Sequence, residues 1–325
     1  MSGATPHDYL VTTAPQQPSE GTRRQRPSVA VSRAARALAE AGVEAARAEA
    51  EQLAAYVLGV PRGRLALADD LTADQLDRFD GLVARRADRE PLQHLTGVAG
   101  FRHLELAVGP GVFVPRPETE LLAGWGIARA GRLAAPVVVD LCSGSGAVAL
   151  SVAQEVPAAR VVAVERSADA LPWLRRNAAT RAAAGDRPIE VVAADVTAPD
   201  LLADLVGRVD VLLCNPPYVP SDVPVPPEVG RHDPASAVFG GADGLAVIRP
   251  VVARAAALLR PGGALGVEHD DTHGTAVPDL LAADGRFEAV ADHPDLVGRP
   301  RFATASRRAD GPHAAVHPAW QTDSS

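Results

Sequence analysis

The chain has 325 residues, of which 47% are hydrophobic, and a formal net charge of −8 at pH 7. This length and composition allow one large domain with a sizeable core and a second, smaller domain. The acidic balance argues against broad electrostatic binding to DNA or RNA. All 32 basic residues are arginine, which excludes a P-loop lysine, Schiff-base chemistry and a lysine nucleophile.

Membrane insertion and secretion are not expected from this sequence. No apolar run approaches the ~18 residues of a membrane-spanning helix. The first residues lack the basic-then-apolar order of a secretory signal. We therefore expect a cytoplasmic protein without membrane contacts, in which Cys142 and Cys214 are reduced thiols.

The two ends of the chain differ from its middle. Residues 1–27 are rich in Pro, Ser, Thr, Gln and Arg without apolar periodicity, and residues 306–325 also lack it, so both are predicted to be disordered tails. Residues 28–89 instead carry Ala, Leu, Arg and Glu at helical spacing, and Thr72 is a plausible N-cap. This region is predicted to be a small helical domain.

Residues 90–116 are predicted to be a linker that contains a β-hairpin. Apolar and polar residues alternate from Phe101 to Val114 around Gly109-Pro110-Gly111, which favours a hairpin with its turn at the glycines. Pro115 and Pro117 follow and set the entry to a helix.

Residues 117–305 show a regular alternation of strands and helices. This order predicts an α/β domain with a mostly parallel, Rossmann-like sheet and helices on both faces. The candidate strands are Pro136–Leu141, Arg160–Glu165, Ile189–Ala193, Val209–Cys214 and Ala264–Glu268, with Phe287–Ala291 and Arg301–Ala305 at an edge.

A glycine-rich turn follows the first of these strands. Gly144, Gly146 and Ala149 match Gly-x-Gly-x-x-Ala, which alone is weak evidence for a dinucleotide site. The turn offers no Arg or Lys to phosphates, and Asp140 places a carboxylate at the strand end that suits an ammonium group. Both features favour a positively charged adenosine derivative.

Two further acids follow the next two strands. Glu165 closes the second strand, where a carboxylate can accept both ribose hydroxyls, and Asp195 closes the third, where it is placed to meet an adenine edge. Taken alone, each acid is as readily explained as a solvated loop residue as by a role in ligand binding. Three acids at three successive strand ends, beside a glycine-rich turn, favour a nucleoside site.

The fourth strand ends in Asn215-Pro216-Pro217-Tyr218. Pro216 and Pro217 cannot continue a ladder, so Asn215 must sit at the carboxyl end of the strand, where such sheets bind ligands. Its side-chain carbonyl and a backbone carbonyl of the Pro-Pro segment can orient the two N–H bonds of a planar amide or amine, and Tyr218 can pack on the flat group. This arrangement favours catalysis by positioning.

These motifs together resemble the protein-(glutamine-N5) methyltransferases that act on peptide chain release factors, the HemK/PrmC family. The resemblance runs from about Ser28 to Ala305. The segments that carry it are Glu90–Gly97, Pro115–Glu120, Asp140–Gly146, Asn215–Tyr218 and Gly240–Leu245.

The resemblance implies S-adenosylmethionine as the methyl donor and a seven-stranded methyltransferase sheet behind an N-terminal helical domain that docks the release factor. By this resemblance Glu165 holds the ribose, while Asp195 and Val196 flank the adenine. The substrate is then the glutamine of the Gly-Gly-Gln motif, held by Asn215–Tyr218. The methionine side of the cofactor is lined by Cys142, Ser143, Gly144, Ser145 and Gly146.

The sequence departs from the family pattern in three places. Cys142 stands where many relatives have Gly, Glu165 replaces the more usual Asp, and no glutamine lies near His273. These departures bear on substrate fit more than on the type of reaction.

Other functions remain open on the sequence alone. The same motif serves a glutamine of a ribosomal protein, or less readily the N6 amino group of adenine in nucleic acid, which the acidic charge disfavours. The sequence shows no recognisable catalytic site of an NAD(P)-dependent oxidoreductase. The intact Asn215 motif argues against a non-catalytic binding module. No metal is expected, because His232, His269 and His273 lack the spacing of zinc ligands.

Overall fold

The computed structural model describes residues 23–309, and the chain divides after Asp88 into two compact units. Most of the two predicted tails, residues 1–22 and 310–325, lies outside the described residues. The last strand runs on to Arg307 instead of ending at Ala305. We describe each unit by itself.

The N-terminal unit is helical. Its elements are α1 (Pro27–Glu40), α2 (Ala46–Leu58), a 3-10 turn (Arg62–Leu67) and α3 (Ala73–Ala87). In α2, Ala46, Ala50, Leu53 and Val57 recur at helical spacing and are buried. Thr72 caps α3 as predicted, since its hydroxyl accepts from the Gln75 amide and the Gln75 side chain accepts from the Thr72 amide.

The second unit starts with a short helix and a hairpin whose turn differs from the predicted one. After α4 (Leu92–Thr96), strands β1 (Val98–Phe101) and β2 (Leu104–Ala107) pair antiparallel. The chain therefore turns at Arg102-His103, and the predicted turn at Gly109-Pro110-Gly111 is wrong.

Close packing explains the glycines at that position. A Cβ on Gly109 would lie 2.6 Å from the Trp173 ring, and the Trp173 indole donates to the Pro110 carbonyl at 3.2 Å. The Gly109-Pro110-Gly111 segment thus lies against the aromatic side chain of a later helix. Sequence alternation alone cannot separate such packing from a turn.

The core of this unit is a seven-stranded sheet, and the predicted Rossmann-like fold is confirmed. Its strand order is β5-β4-β3-β6-β7-β9-β8, with β9 antiparallel to its neighbours β7 and β8 and the remaining pairs parallel. The strands are β3 (Val137–Leu141), β4 (Arg160–Glu165), β5 (Glu190–Ala193), β6 (Val209–Cys214), β7 (Leu259–Glu268), β8 (Phe287–Pro294) and β9 (Pro300–Arg307).

Helices and short turns connect these strands. Apolar side chains from both faces of the sheet form two clusters of buried residues with the helices. The helices are α5 (Thr119–Ala130), α6 (Ala147–Glu155), α7 (Leu171–Ala183), α8 (Pro227–His232), α9 (Ala235–Val238), α10 (Ile248–Leu258) and α11 (Ala276–Asp284). Among residues 23–309, no helix is both long and apolar enough to cross a membrane.

Helix α5 packs closely on the sheet because two glycines remove side chains from the contact. Gly126 leaves room for Leu213 of β6, and a Cβ on Gly266 of β7 would lie 2.8 Å from Leu122. This approach brings Thr119, the first residue of α5, to the carboxyl ends of β6 and β7.

Candidate active site

A cavity of about 480 Å³ opens at the carboxyl ends of the parallel strands, where open α/β sheets bind ligands. Every residue predicted for the site lines it except Gly146. Gly146 (φ +89°) instead lies where a Cβ would meet Leu174 at 2.7 Å, so it permits close packing at the start of α6. Thr119 and Arg166 also line the cavity.

The turn after β3 has a tightly wound backbone. Gly144 has φ +55°, and Cys142 adopts φ +60° although it carries a side chain. The left-handed region disfavours residues with a Cβ, so a glycine at this position would be less strained. The Cys142 side chain is half-buried.

Asp140 holds this turn against α6. Its carboxylate accepts from the Ser143 hydroxyl at 2.5 Å and from the Ala149 amide at 3.1 Å. Burial raises the pKa of the Asp140 carboxyl to about 7, against the lowering effect of these two bonds. Sequence analysis assigned Asp140 to an ammonium group and did not foresee this structural contact.

Glu165 at the end of β4 is oriented by two backbone amides. The Gly144 amide donates to one carboxylate oxygen at 2.8 Å and the Ser167 amide to the other at 2.7 Å. The carboxylate thereby ties the glycine-rich turn to the end of β4. Each oxygen retains a further lone pair for a hydroxyl group of a ligand.

Asp195 lies at the cavity wall beyond β5. Its carboxylate pairs with Arg166 at 2.9 Å and accepts from the Thr197 amide at 2.8 Å. Hydrogen bonding from Thr197, followed by Arg166, holds its pKa below the usual range. Val196 beside it is buried and contributes an apolar surface.

Asn215 is oriented by a residue that sequence analysis did not single out. Its side-chain Nδ2 donates to the Thr119 hydroxyl at 3.0 Å. Among the described residues, its Oδ1 has no hydrogen-bond partner and is not sealed from solvent. The amide therefore turns its acceptor atom toward the cavity.

Tyr218 is anchored through its hydroxyl, which donates to the Glu268 carboxylate at 2.9 Å. Glu268 ends β7 and is 1% exposed. Burial raises its pKa to about 7, while hydrogen bonding from Thr119 and Tyr218 and the charge of Arg301 lower it. Sequence analysis noted Thr119 and Glu268 only as parts of a motif and of a strand.

A glycine loop supports the Pro-Pro-Tyr segment from behind. A Cβ on Gly240 would lie 2.6 Å from the Pro217 carbonyl oxygen, and one on Gly244 would meet the Tyr218 carbonyl oxygen and lie 2.5 Å from the His273 ring. Gly244 also has φ +71°. Only glycine fits this contact, which accounts for the Gly240–Leu245 motif.

The three histidines considered as metal ligands have other surroundings. His269 bonds to the Asp292 carboxylate at 2.8 Å and to the Asp270 carbonyl at 2.9 Å. His273 packs on Gly244, and His232 ends α8. Within residues 23–309, no group of three or more His, Cys, Asp or Glu side chains is placed to hold a metal ion.

Comparison with known proteins decides the family. The PrmC N-terminal domain model matches residues 30–97, and the methyltransferase small domain model matches residues 128–224. The chain is 54% identical over 278 residues to the release factor glutamine methyltransferase of Mycolicibacterium smegmatis, an alignment that covers 86% of this chain and 96% of the relative. The chain belongs to the release factor glutamine methyltransferase family.

A more distant relative carries a different name. The 4-amino-L-phenylalanine/4-methylamino-L-phenylalanine methyltransferase of Streptomyces pristinaespiralis is 40% identical over 257 residues, covering 77% of this chain and 85% of the relative. Among solved structures, the catalytic domain of hMettl16 in complex with the MAT2A 3'UTR hairpin 6 aligns with a TM-score of 0.50. At 13% identity over 75% of this chain and 86% of that one, it shows the fold alone.

S-adenosylmethionine is the methyl donor of this enzyme family, and the cavity suits it. The carboxylates of Asp140, Glu165 and Asp195 line the cavity, as a ligand with both hydroxyl and cationic groups requires. Arg166, which also lines it, is paired with Asp195. The buried Val196 side chain suits an adenine face.

Proposed function

We propose that this protein transfers a methyl group to the side-chain amide nitrogen of the glutamine in the Gly-Gly-Gln motif of peptide chain release factors. The observation that carries the proposal is the fixed Asn215 amide, whose Nδ2 is bonded to Thr119 while its Oδ1 is free at the cavity wall. Such an acceptor can receive an N–H of a planar substrate amide.

The proposed cofactor roles are those that the family resemblance implies, and the residues that carry them, apart from Gly146, line the cavity. Glu165 accepts from the ribose hydroxyls, and Asp195 and Val196 flank the adenine. Cys142, Ser143, Gly144 and Ser145, which line the cavity beside Asp140, would hold the methionine portion. Gly146 contributes by allowing Leu174 of α7 to pack against the start of α6.

The substrate amide is held by acceptors rather than by a base. Asn215 Oδ1 and the Pro216 carbonyl take the two N–H bonds, since the Pro217 carbonyl faces Gly240. Tyr218, fixed by its bond to Glu268, forms a flat wall beside the amide. S-adenosylmethionine would supply the methyl group: its C–S bond breaks as the N–C bond forms, S-adenosylhomocysteine leaves, and the methylated nitrogen releases one proton to water. The residues named here hold the nitrogen toward the methyl group.

A second candidate substrate is an arylamine of a free amino acid, because the Streptomyces pristinaespiralis relative is named for that activity. An arylamine nitrogen is also planar and presents two N–H bonds, so the same pair of acceptors would suit it. The two candidates differ in the size of the partner that must dock.

Release factors are the proposed partners, and we place the reaction in the cytoplasm, where they act on ribosomes. We propose no direct nucleic-acid substrate, because the chain carries a net charge of −8 and nucleic-acid binding depends mainly on phosphate neutralisation.

The test is peptide mass spectrometry of a recombinant release factor incubated with this protein and S-adenosylmethionine. We expect one methyl group on the Gly-Gly-Gln glutamine, none on a release factor with that glutamine replaced by alanine, and none with the Asn215→Ala enzyme. Parallel incubation with 4-amino-L-phenylalanine tests the second candidate. Methylation of the amino acid without methylation of the release factor would overturn the proposal.

A further inference from the structure

We infer that Glu268 is a positioning residue that sets the direction of the hydrogen-bond chain through Thr119 to Asn215, so that Asn215 offers its carbonyl oxygen and not its NH2 group to the substrate. The inference rests on the proposed function and deepens it. It concerns residues that lie behind the substrate-facing wall.

An asparagine side-chain amide can lie in either of two orientations that have nearly the same shape. Its amide has one end that only donates and one end that only accepts. Only the accepting end can hold the N–H of a substrate amide. A neighbouring residue that can either donate to or accept from Asn215 would allow both orientations of the amide. The orientation that presents the NH2 group to the substrate would be unproductive.

The Thr119 hydroxyl can either donate to Asn215 or accept from it, unless it already donates its proton to another acceptor. Its hydroxyl accepts from Asn215 Nδ2 at 3.0 Å, and it is 3% exposed, so water does not readily take the proton. If that proton pointed at Asn215, the amide would turn its Oδ1 to Thr119 and its NH2 group to the cavity.

In this inference, the Glu268 carboxylate accepts a hydrogen bond from the Thr119 hydroxyl. The carboxylate is 1% exposed, and hydrogen bonding with Thr119 stabilises its ionised form. Its Oε1 accepts from Tyr218, whereas its buried Oε2 has no hydrogen-bond partner of ordinary geometry within residues 23–309, so this oxygen is available to accept the Thr119 proton. Burial raises the pKa of Glu268 to about 7, so above that pH the ionised carboxylate, which can only accept, is the main form.

The same carboxylate fixes two walls of the substrate site. Through Tyr218 it holds the aromatic ring, and through Thr119 it holds the amide. Glu268 itself does not line the cavity, so it acts through these two residues. Its replacement should therefore impair turnover more than binding of the cofactor.

Glu268→Gln is the informative change, because it preserves size and removes the acceptor-only character. The introduced amide can keep the bond from Tyr218 with its oxygen while its NH2 group faces Thr119. Thr119 would then accept from that group and direct its proton at Asn215, which reverses the chain. Glu268→Asp retains an acceptor-only carboxylate, and Thr119→Val removes the hydroxyl at nearly constant shape.

Asparagine-selective ¹⁵N labelling gives a readout that does not depend on activity. The chain has two asparagines, Asn177 and Asn215, so the spectrum holds two side-chain NH2 pairs, which Asn215→Ala assigns. Asn177 is an internal control, since the hydrogen bonds of its side chain go to the Ala107 backbone and to the Ser145 carbonyl.

In Glu268→Gln and Thr119→Val we expect the Asn215 pair to shift and to exchange faster with solvent while the Asn177 pair stays in place. The kcat should fall by about 10-fold to 100-fold, with the affinity for S-adenosylhomocysteine within about 3-fold of the parent. Glu268→Asp and Thr119→Ser should recover part of the lost turnover.

An unchanged Asn215 pair and unchanged kcat in folded Glu268→Gln would overturn the inference. If Glu268→Gln does not fold, Thr119→Val decides by the same two criteria. A failure of the proposed function looks different, since the parent enzyme would then not methylate the release factor while the spectra still reported the orientation of Asn215.

Discussion

The side-chain nitrogen of Asn215 donates a 3.0 Å hydrogen bond to the hydroxyl of Thr119, a residue 96 positions earlier in the chain. The contact joins the end of β6 to the first residue of α5. Its consequence is that the packing of α5 on the sheet, and not the Asn-Pro-Pro-Tyr segment alone, sets the orientation of the proposed catalytic amide.

Asn215→Asp tests whether that orientation matters. The carboxylate keeps two acceptor oxygens but cannot donate to Thr119, and it adds a negative charge near Glu268. We expect kcat to fall about 100-fold or more, because small misplacements of a reacting group cost that much. Single-turnover methyl transfer measures this, and calorimetry with S-adenosylhomocysteine should show nearly unchanged affinity. Full turnover in the variant would contradict the positioning mechanism.

Glu165→Gln tests the proposed ribose contact. Two backbone amides, of Gly144 and Ser167, donate to this carboxylate, and a glutamine amide offers only one accepting end. We expect about 10-fold weaker binding of S-adenosylmethionine, since one buried donor loses its partner. At saturating cofactor, kcat should stay close to that of the parent.

Glu288→Gln is the matched control, because Glu288 is exposed on β8. Equilibrium dialysis of both variants gives the comparison. Equal cofactor affinity in the two would remove Glu165 from the cofactor site.

Gly244→Ala tests the close contact behind Tyr218. The added Cβ would meet the Tyr218 carbonyl oxygen and lie 2.5 Å from the His273 ring, at a φ of +71°. Gly285→Ala is matched in φ, at +76°, but has nothing within 4 Å of the added atom. Backbone strain alone costs about 1 kcal/mol, so we expect Gly244→Ala to lose about 2 kcal/mol more than Gly285→Ala. Urea unfolding of both variants measures the difference, and equal losses would show that the contact is relieved.

Asp140→Asn tests the raised pKa of a buried carboxyl. Burial raises the pKa of Asp140 from 3.8 to about 7 in the folded protein. Below pH ~4 the group is protonated in both states, and its contribution to stability is fully present. As the pH rises toward 7 the unfolded state releases the proton first, so this contribution is lost.

We therefore expect the free energy of unfolding of the parent, relative to Asp140→Asn, to fall between about pH 4 and pH 7 and to level above it. The slope for one group is at most about 1.4 kcal/mol per pH unit. Denaturant unfolding at a series of pH values gives the difference. A relative stability that rises over this interval would contradict the assigned pKa.

The sequence predicted the strands of the sheet with good accuracy. Strands such as Arg160–Glu165 and Val209–Cys214 match the structure residue for residue, because buried parallel strands are short apolar runs ended by breakers. The acids and the Asn-Pro-Pro-Tyr segment come at those ends, and parallel strands bring their carboxyl ends to one edge. The hairpin turn was misplaced because a glycine that packs on Trp173 has the same local signature as a glycine in a turn.

What the sequence by itself determined, then, was the fold, the family and which segments meet at the cavity, since local periodicity and chain order carry that information. Only the tertiary structure decided how the site is held. Asp140 binds the turn, Thr119 orients Asn215, and Glu268 anchors Tyr218. These contacts join residues from different strands and helices at distances of a few ångströms. Their partners depend on how closely α5 packs on β6 and β7, which no local pattern in the chain expresses.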